Sequence, residues 1–150
     1  MTDHEPSWLF ISFEGTDAKA RLELDWGRVP DVCRAVVDAA PFTALAHHGI
    51  YSGSEIAAIT PFLPELSLDA GTSVVHVGEV AYTFLRAEEH HGVEEDFAEI
   101  AWFYDSDVRP SMFNGPAAMV VFGRLTDADA FFRVSRDMRL EGAKQIRVER

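Results

Sequence analysis

Only two segments of this chain carry a helical pattern, and the rest of its apolar residues fall in short strand-like pieces. That imbalance restricts the fold more than any other feature. The first helix is expected over Val29–Ala40. Pro30 stands where a missing N–H is harmless, and Val29, Val32, Cys33, Val36 and Ala40 form one apolar stripe ending near Pro41. The second follows Thr126, read as its cap with Asp129 three residues on; Phe131, Val134 or Ser135, and Met138 share a face, and Gly142 closes it. Before the first helix, Trp8–Phe13 is an apolar run, and Lys19–Asp25 alternates apolar with charged residues. Together they predict a hairpin. Further strands are expected at Thr43–His47, Glu55–Ile59, Glu99–Tyr104, Ala117–Leu125 and Lys144–Val148, with Ser73–Leu85 as one or two strands turning at Gly78. Glu88–Asp96 and Asp105–Pro116 read as loops. Many strands and two lone helices predict a mainly β, β-rich α+β fold: a closed barrel of about eight strands with the two helices capping it.

At 150 residues, without repeats or a linker, residues 1–150 are expected to form one domain, large enough to bury roughly 70% of its unfolded surface. The single Cys33 excludes an intramolecular disulfide and any thiolate cage for a metal within the chain. The formal charge of −12 disfavours nucleic acid. The one basic concentration, Arg133, Arg136, Arg139, Lys144, Arg147 and Arg150, is interrupted by Asp137, Glu141 and Glu149 and reads as a solvated face. No run approaches the ~20 apolar residues of a membrane span. The polar, acidic N-terminus lacks the pattern of a signal peptide, so a cytoplasmic location is expected.

Six histidines raise the question of a metal, with Glu55, Glu79 or Glu99 as a carboxylate ligand. His47-His48 and His90-His91 are adjacent pairs, and neighbours on a strand point to opposite faces. No pair has a spacing that places two ligands together, so no metal is expected. Ser52 lacks a nucleophile elbow, Cys33 reads as a small buried hydrophobe, and no glycine-rich phosphate loop is present, so no cofactor is expected. On the Glu99–Tyr104 strand, Trp102 and Tyr104 share one face and Glu99 and Phe103 the other. Phe113, Tyr51 and Tyr82 are candidates to join a ligand groove there. A carboxylate beside aromatics suits an amine- or amide-bearing molecule.

The element order, the Val29-Pro30 helix start and the stretch Met119–Leu125 resemble cyclophilin, which implies a cyclophilin-like barrel. His47 with Ser52-Gly53-Ser54-Glu55, then Glu99-Ile100-Ala101-Trp102-Phe103-Tyr104, then Glu141-Gly142 with Ile146, are similar to DUF3830, a bacterial family of small cyclophilin-like proteins of unknown function. The cyclophilin resemblance puts His48 where an arginine polarises the prolyl amide, and Met119 where a pocket histidine stands. A mostly neutral imidazole is a poor substitute for a permanent guanidinium, so prolyl isomerase activity is not expected.

The function expected from sequence is binding of a small molecule or peptide in a groove lined by His47, Tyr51, Ser52, Glu55, Glu99, Phe103 and Phe113. A second reading is a hydrolase or isomerase using His47 with Glu55 or Glu99 as an acid–base pair. A third is an interaction subunit without a pocket. No residue is assigned a catalytic role, neither nucleic acid nor membrane is an expected partner, and homo-oligomerisation is left open.

Overall fold

The structure, a computed structural model, describes residues 5–89 and 92–150. The chain begins with the hairpin β1 (Trp8–Phe13) and β2 (Lys19–Leu24), followed by α1 (Pro30–Ala39), β3 (Phe42–His48) and β4 (Glu55–Ile59). Next come β5 (Glu79–Leu85), β6 (Phe97–Phe103) and the two-residue strands β7 (Ser111–Met112) and β8 (Gly115–Pro116). The chain finishes with β9 (Val120–Thr126), α2 (Asp129–Glu141) and β10 (Lys144–Glu149). Eight strands close into an antiparallel barrel in the order β1-β10-β3-β4-β6-β5-β9-β2, so none of these eight is an edge strand. Among the described residues no helix is long and apolar enough to cross a membrane.

Alternation decides which side chains fill the barrel. Leu9, Ile11 and Phe13 of β1, Ile100 and Trp102 of β6, and Phe122 of β9 are all sealed inside. Both helices add to this core, α1 through Val32, Cys33 and Val36 and α2 through Phe131 and Met138. Phe131 stacks on Phe13 at 4.6 Å between ring centroids, and the Trp102 indole N–H donates to Ser135 Oγ at 3.0 Å. The indole would otherwise be a buried donor without a partner, so this bond fixes how α2 sits against β6. Cys33 behaves as a buried hydrophobe: its thiol faces the Phe122 carbonyl at 3.6 Å, and burial pushes its pKa up to about 12.

Three sequence expectations are corrected. Thr126 does not cap α2, because β9 runs through it, paired with Arg21, and Asp127 turns the chain at φ 52°. The N-cap is Ala128 without a side-chain bond, and the Thr126 hydroxyl is buried with no hydrogen-bond partner. Within Ser73–Leu85 only Glu79–Leu85 is a strand. The preceding residues cross the barrel's outer face, where Thr72 bridges Met119. The expected loop Asp105–Pro116 contains the small β7–β8 hairpin. Both crossing segments cover one side of the barrel, and that covering creates the cleft described next.

Candidate functional site

The outer face of β4, β6 and β5 carries a row of alanines. Ala57 pairs with Ala101, and Ala101 pairs with Ala81. Such small side chains leave room above the sheet. A second apolar layer fills part of it, built from Ala57, Ala81 and Ala101 with Val75, Val108 and Met119. The longer side chains flanking the row, Glu55 and Phe103 at one end and Glu99 at the other, lie on this same face. Beside them opens a cleft of about 390 Å³, with Glu55 and Glu99 among its walls. Leu66, Phe84, Met112 and Met119 supply an apolar side. Arg86 stands at the wall too, paired with Glu65 and, at 3.6 Å, with Asp96.

Glu55 is the unusual member. It is only 8% exposed, and its Oε1 has no hydrogen-bond partner. Gly49 lies against it so closely that a Cβ there would stand 3.1 Å from Glu55 Oε2. Burial, reinforced by the charge of Glu99, pushes the Glu55 pKa up to about 8, against smaller opposing effects of the Ser52 hydroxyl and His47. Glu55 therefore carries its proton at neutral pH. His47 projects from β3 on the same outer face, across from Ala57, and its Nε2 stands 3.8 Å from Glu99 Oε2. The polar contact to the Glu99 carboxylate raises the His47 pKa above its ordinary value, with burial opposing.

The covering segment is pinned over this face by Ser52. The Ser111 N–H donates to Ser52 Oγ at 2.9 Å, Ser52 Oγ donates back to the Ser111 carbonyl at 3.2 Å, and the Arg109 N–H reaches the Ser52 carbonyl at 2.8 Å. Gly53, at φ +75°, permits the close approach: a Cβ there would lie 2.6 Å from the Asp107 carbonyl oxygen.

The structure thus brings together His47, Ser52, Glu55 and Glu99 of the residues expected at the site. Phe103 lies on the same face but is sealed in the second apolar layer. Tyr51 and Phe113 are exposed and do not line the cleft. Tyr82 points into the barrel, where its hydroxyl donates to the Pro64 carbonyl at 2.6 Å and accepts from the Leu66 N–H at 3.0 Å, anchoring the strip that carries Leu66 to the wall. His90 and His91 lie outside the described residues. Among the described residues no three His, Cys, Asp or Glu side chains form a group able to hold a metal.

A second polar cluster closes the neighbouring end of the barrel. His48 Nδ1 meets the Gly49 carbonyl at 2.8 Å and so bears the proton. In the neutral ring Nε2 then accepts the Tyr104 hydroxyl at 2.7 Å, and the Tyr104 oxygen accepts Arg139 Nε–H at 3.0 Å. Arg139 also donates to Ser54 at 3.2 Å and lies 3.6 Å from Asp107. Sequence placed Arg139 on a solvated face; its helical register beside Met138 was the signal that it stands close to the barrel.

The fold and site define a closed eight-stranded antiparallel barrel with a covered outer face and an acid-lined cleft. The chain belongs to the family described as "Protein of unknown function (DUF3830)", which matches residues 11–149. No curated protein matches it in sequence. Among solved structures it is similar to the hypothetical protein AF2241 from Archaeoglobus fulgidus, at 22% identity and a TM-score of 0.63, covering 100% of this chain and 99% of that one. It is also similar to McbB, solved in complex with tryptophan, at 17% identity and a TM-score of 0.64. That match covers 95% of this chain but 44% of McbB. At these identities the likeness is one of fold.

Proposed function

We propose that this chain binds a small molecule in the cleft beside β4 and β6, with Glu55 and Glu99 as its polar contacts, and that it lacks prolyl isomerase activity. The observation that carries the proposal is Glu55 itself: a nearly buried carboxyl that lines the cleft, one of its oxygens sealed without a hydrogen-bond partner among the described residues. A buried polar atom without a partner costs about 1–3 kcal/mol. A ligand that bonds the Glu55 carboxyl from the cleft offsets part of that cost. The cleft volume sits at the small end of the range of ligand pockets, about 300–1,000 Å³, which favours a small molecule over a peptide. McbB, which includes this fold, was solved with a small molecule, but the proposal rests on Glu55 and not on that likeness.

A second reading, acid–base catalysis, draws on the same residues. Glu55 protonated near pH 7 beside the Glu99–His47 pair provides one acid and one base in one site, the pattern by which neighbouring carboxyls divide roles. Isomerase chemistry is disfavoured because His48 is engaged by Tyr104 and Gly49, and Met119 is buried in the second layer. A protease-coupled assay on a proline peptide should show no turnover above background. The single buried Cys33 is in keeping with a reducing, cytoplasmic setting.

The binding test is a fragment screen by protein-observed NMR. Hits should move the amides of β4, β6 and 108–119, and Glu55→Gln should weaken them. Hits confined to other surfaces, or unaffected by Glu55→Gln, would contradict the proposal.

A further inference from the structure

We propose that the ligand of this cleft is an organic cation, a primary ammonium on a short apolar body, seated between the carboxyls of Glu55 and Glu99. This inference rests on the cleft being a binding site and names the chemistry it selects. Two carboxyls face one small space, and neither is paired with an arginine or lysine among the described residues. β3 offers His47, already engaged with Glu99, and β6 offers Glu99. The strips flanking β5 contribute Glu65, Arg86 and Glu89 to the wall, and Arg86 is held by Glu65 and Asp96. The covering segment contributes Pro110, Ser111, Met112 and Asn114, none of them charged. Ser52, whose hydroxyl acts to lower the Glu55 pKa, also accepts from the Ser111 N–H and donates to the Ser111 carbonyl.

Four glutamates thus line the cleft, and its one lining arginine or lysine among the described residues, Arg86, is held by Glu65 and Asp96. An ammonium group has three donors and no acceptor, which matches the Glu55 carboxyl and the Glu99 carboxylate that line the same cleft. The remainder of such a molecule falls on Leu66, Phe84, Met112 and Met119. A neutral alcohol would satisfy one oxygen and leave the second acid unanswered. A carboxylate ligand would add a further negative charge beside Glu99.

Binding a cation here has a signature in protons. Free, Glu55 holds its proton up to about pH 8. With an ammonium beside it, the ionised form is favoured, so the proton leaves as the ligand enters. Affinity for a cation therefore rises with pH until Glu55 is ionised in the free protein. A ligand that accepts a hydrogen bond from protonated Glu55 shows the opposite slope.

The test is calorimetry on the full chain with n-butylamine, benzylamine and phenethylamine, each run beside its alcohol and carboxylate counterpart. At least one amine should bind, tightening by up to about tenfold per pH unit below pH 8 and levelling above it. At pH 7 it should release close to one proton, read from buffers of different ionisation heat. Glu55→Gln, a near-isostere of the protonated side chain, should abolish the proton release and the pH slope while the melting midpoint at pH 7 is no lower than that of the unaltered chain. If an alcohol or carboxylate binds in the cleft and tightens as pH falls, the cation assignment is wrong and the binding site stands. If no compound of any class binds, in this panel or in the fragment screen, both fall.

Discussion

His47 Nε2 and Glu99 Oε2 stand 3.8 Å apart although their strands, β3 and β6, are separated by β4. The contact runs diagonally across β4, where Ala57 pairs with His47 and Ile59 with Glu99, and the small Ala57 side chain does not stand in its way. At that distance the contact is an ion pair rather than a hydrogen bond, and His47 is partly exposed, so its contribution to stability is about 0–1 kcal/mol. His47 should titrate above its ordinary value of 6.5 in imidazole NMR spectra. In Glu99→Gln its midpoint should fall, because burial then acts without the opposing carboxylate. An unchanged midpoint would mean that the two side chains do not meet in solution.

Stability should decline as the solution becomes alkaline. Glu55 has a folded pKa of about 8 against an ordinary 4.5, so its contribution is full below pH 4.5 and is lost as pH climbs through 8. His47, raised above 6.5, acts in the same direction: its share is full below 6.5 and is lost as pH passes its folded value. The combined loss for Glu55 is up to about 1.4 kcal/mol per pH unit within its window. Thermal melts from pH 6 to pH 9 should therefore show a falling midpoint, and Glu55→Gln should remove most of the slope. A flat profile in the unaltered protein would contradict this.

Gly53→Ala should loosen the segment that covers the cleft. The added Cβ would stand 2.6 Å from the Asp107 carbonyl, a backbone atom, and would hold an alanine at φ +75°. The combined cost is about 1–3 kcal/mol. Hydrogen exchange should speed up at the Arg109 and Ser111 amides, both bonded to Ser52, while the amides of β1 and β10 on the far side stay protected. Unchanged exchange at Ser111 would show that the segment is held by other contacts.

Much of the barrel was legible because its signals are local. The period of two in Lys19–Leu24 and the apolar stripe of α1 are read within a few residues of themselves, and they fall where expected. The second helix was legible through Phe131, Ser135 and Met138, whereas its start was not. Thr126 looks like a cap, but pairing with Arg21, more than a hundred residues earlier, draws it into β9. The site was half legible for the same reason. A carboxyl on a strand such as Glu99 marks itself, because its burial needs an explanation. The wall formed by Leu66, Phe84 and Met112 does not, since three separate segments meet only after the barrel closes. Tyr51 and Phe113 looked like groove aromatics by type alone, and the folded chain leaves them exposed.

The most direct measurement is the titration of the Glu55 side-chain carboxyl, followed by carbon-detected NMR on glutamate-labelled protein with Glu55→Gln as the assignment control. Held in a nearly closed cleft wall beside Glu99, the Glu55 carboxyl should keep its proton through neutrality and titrate with a midpoint about 8. A midpoint in the ordinary glutamate range, about 4.3, would contradict the account, because a solvated Glu55 would have no unmet bond for a ligand to fill.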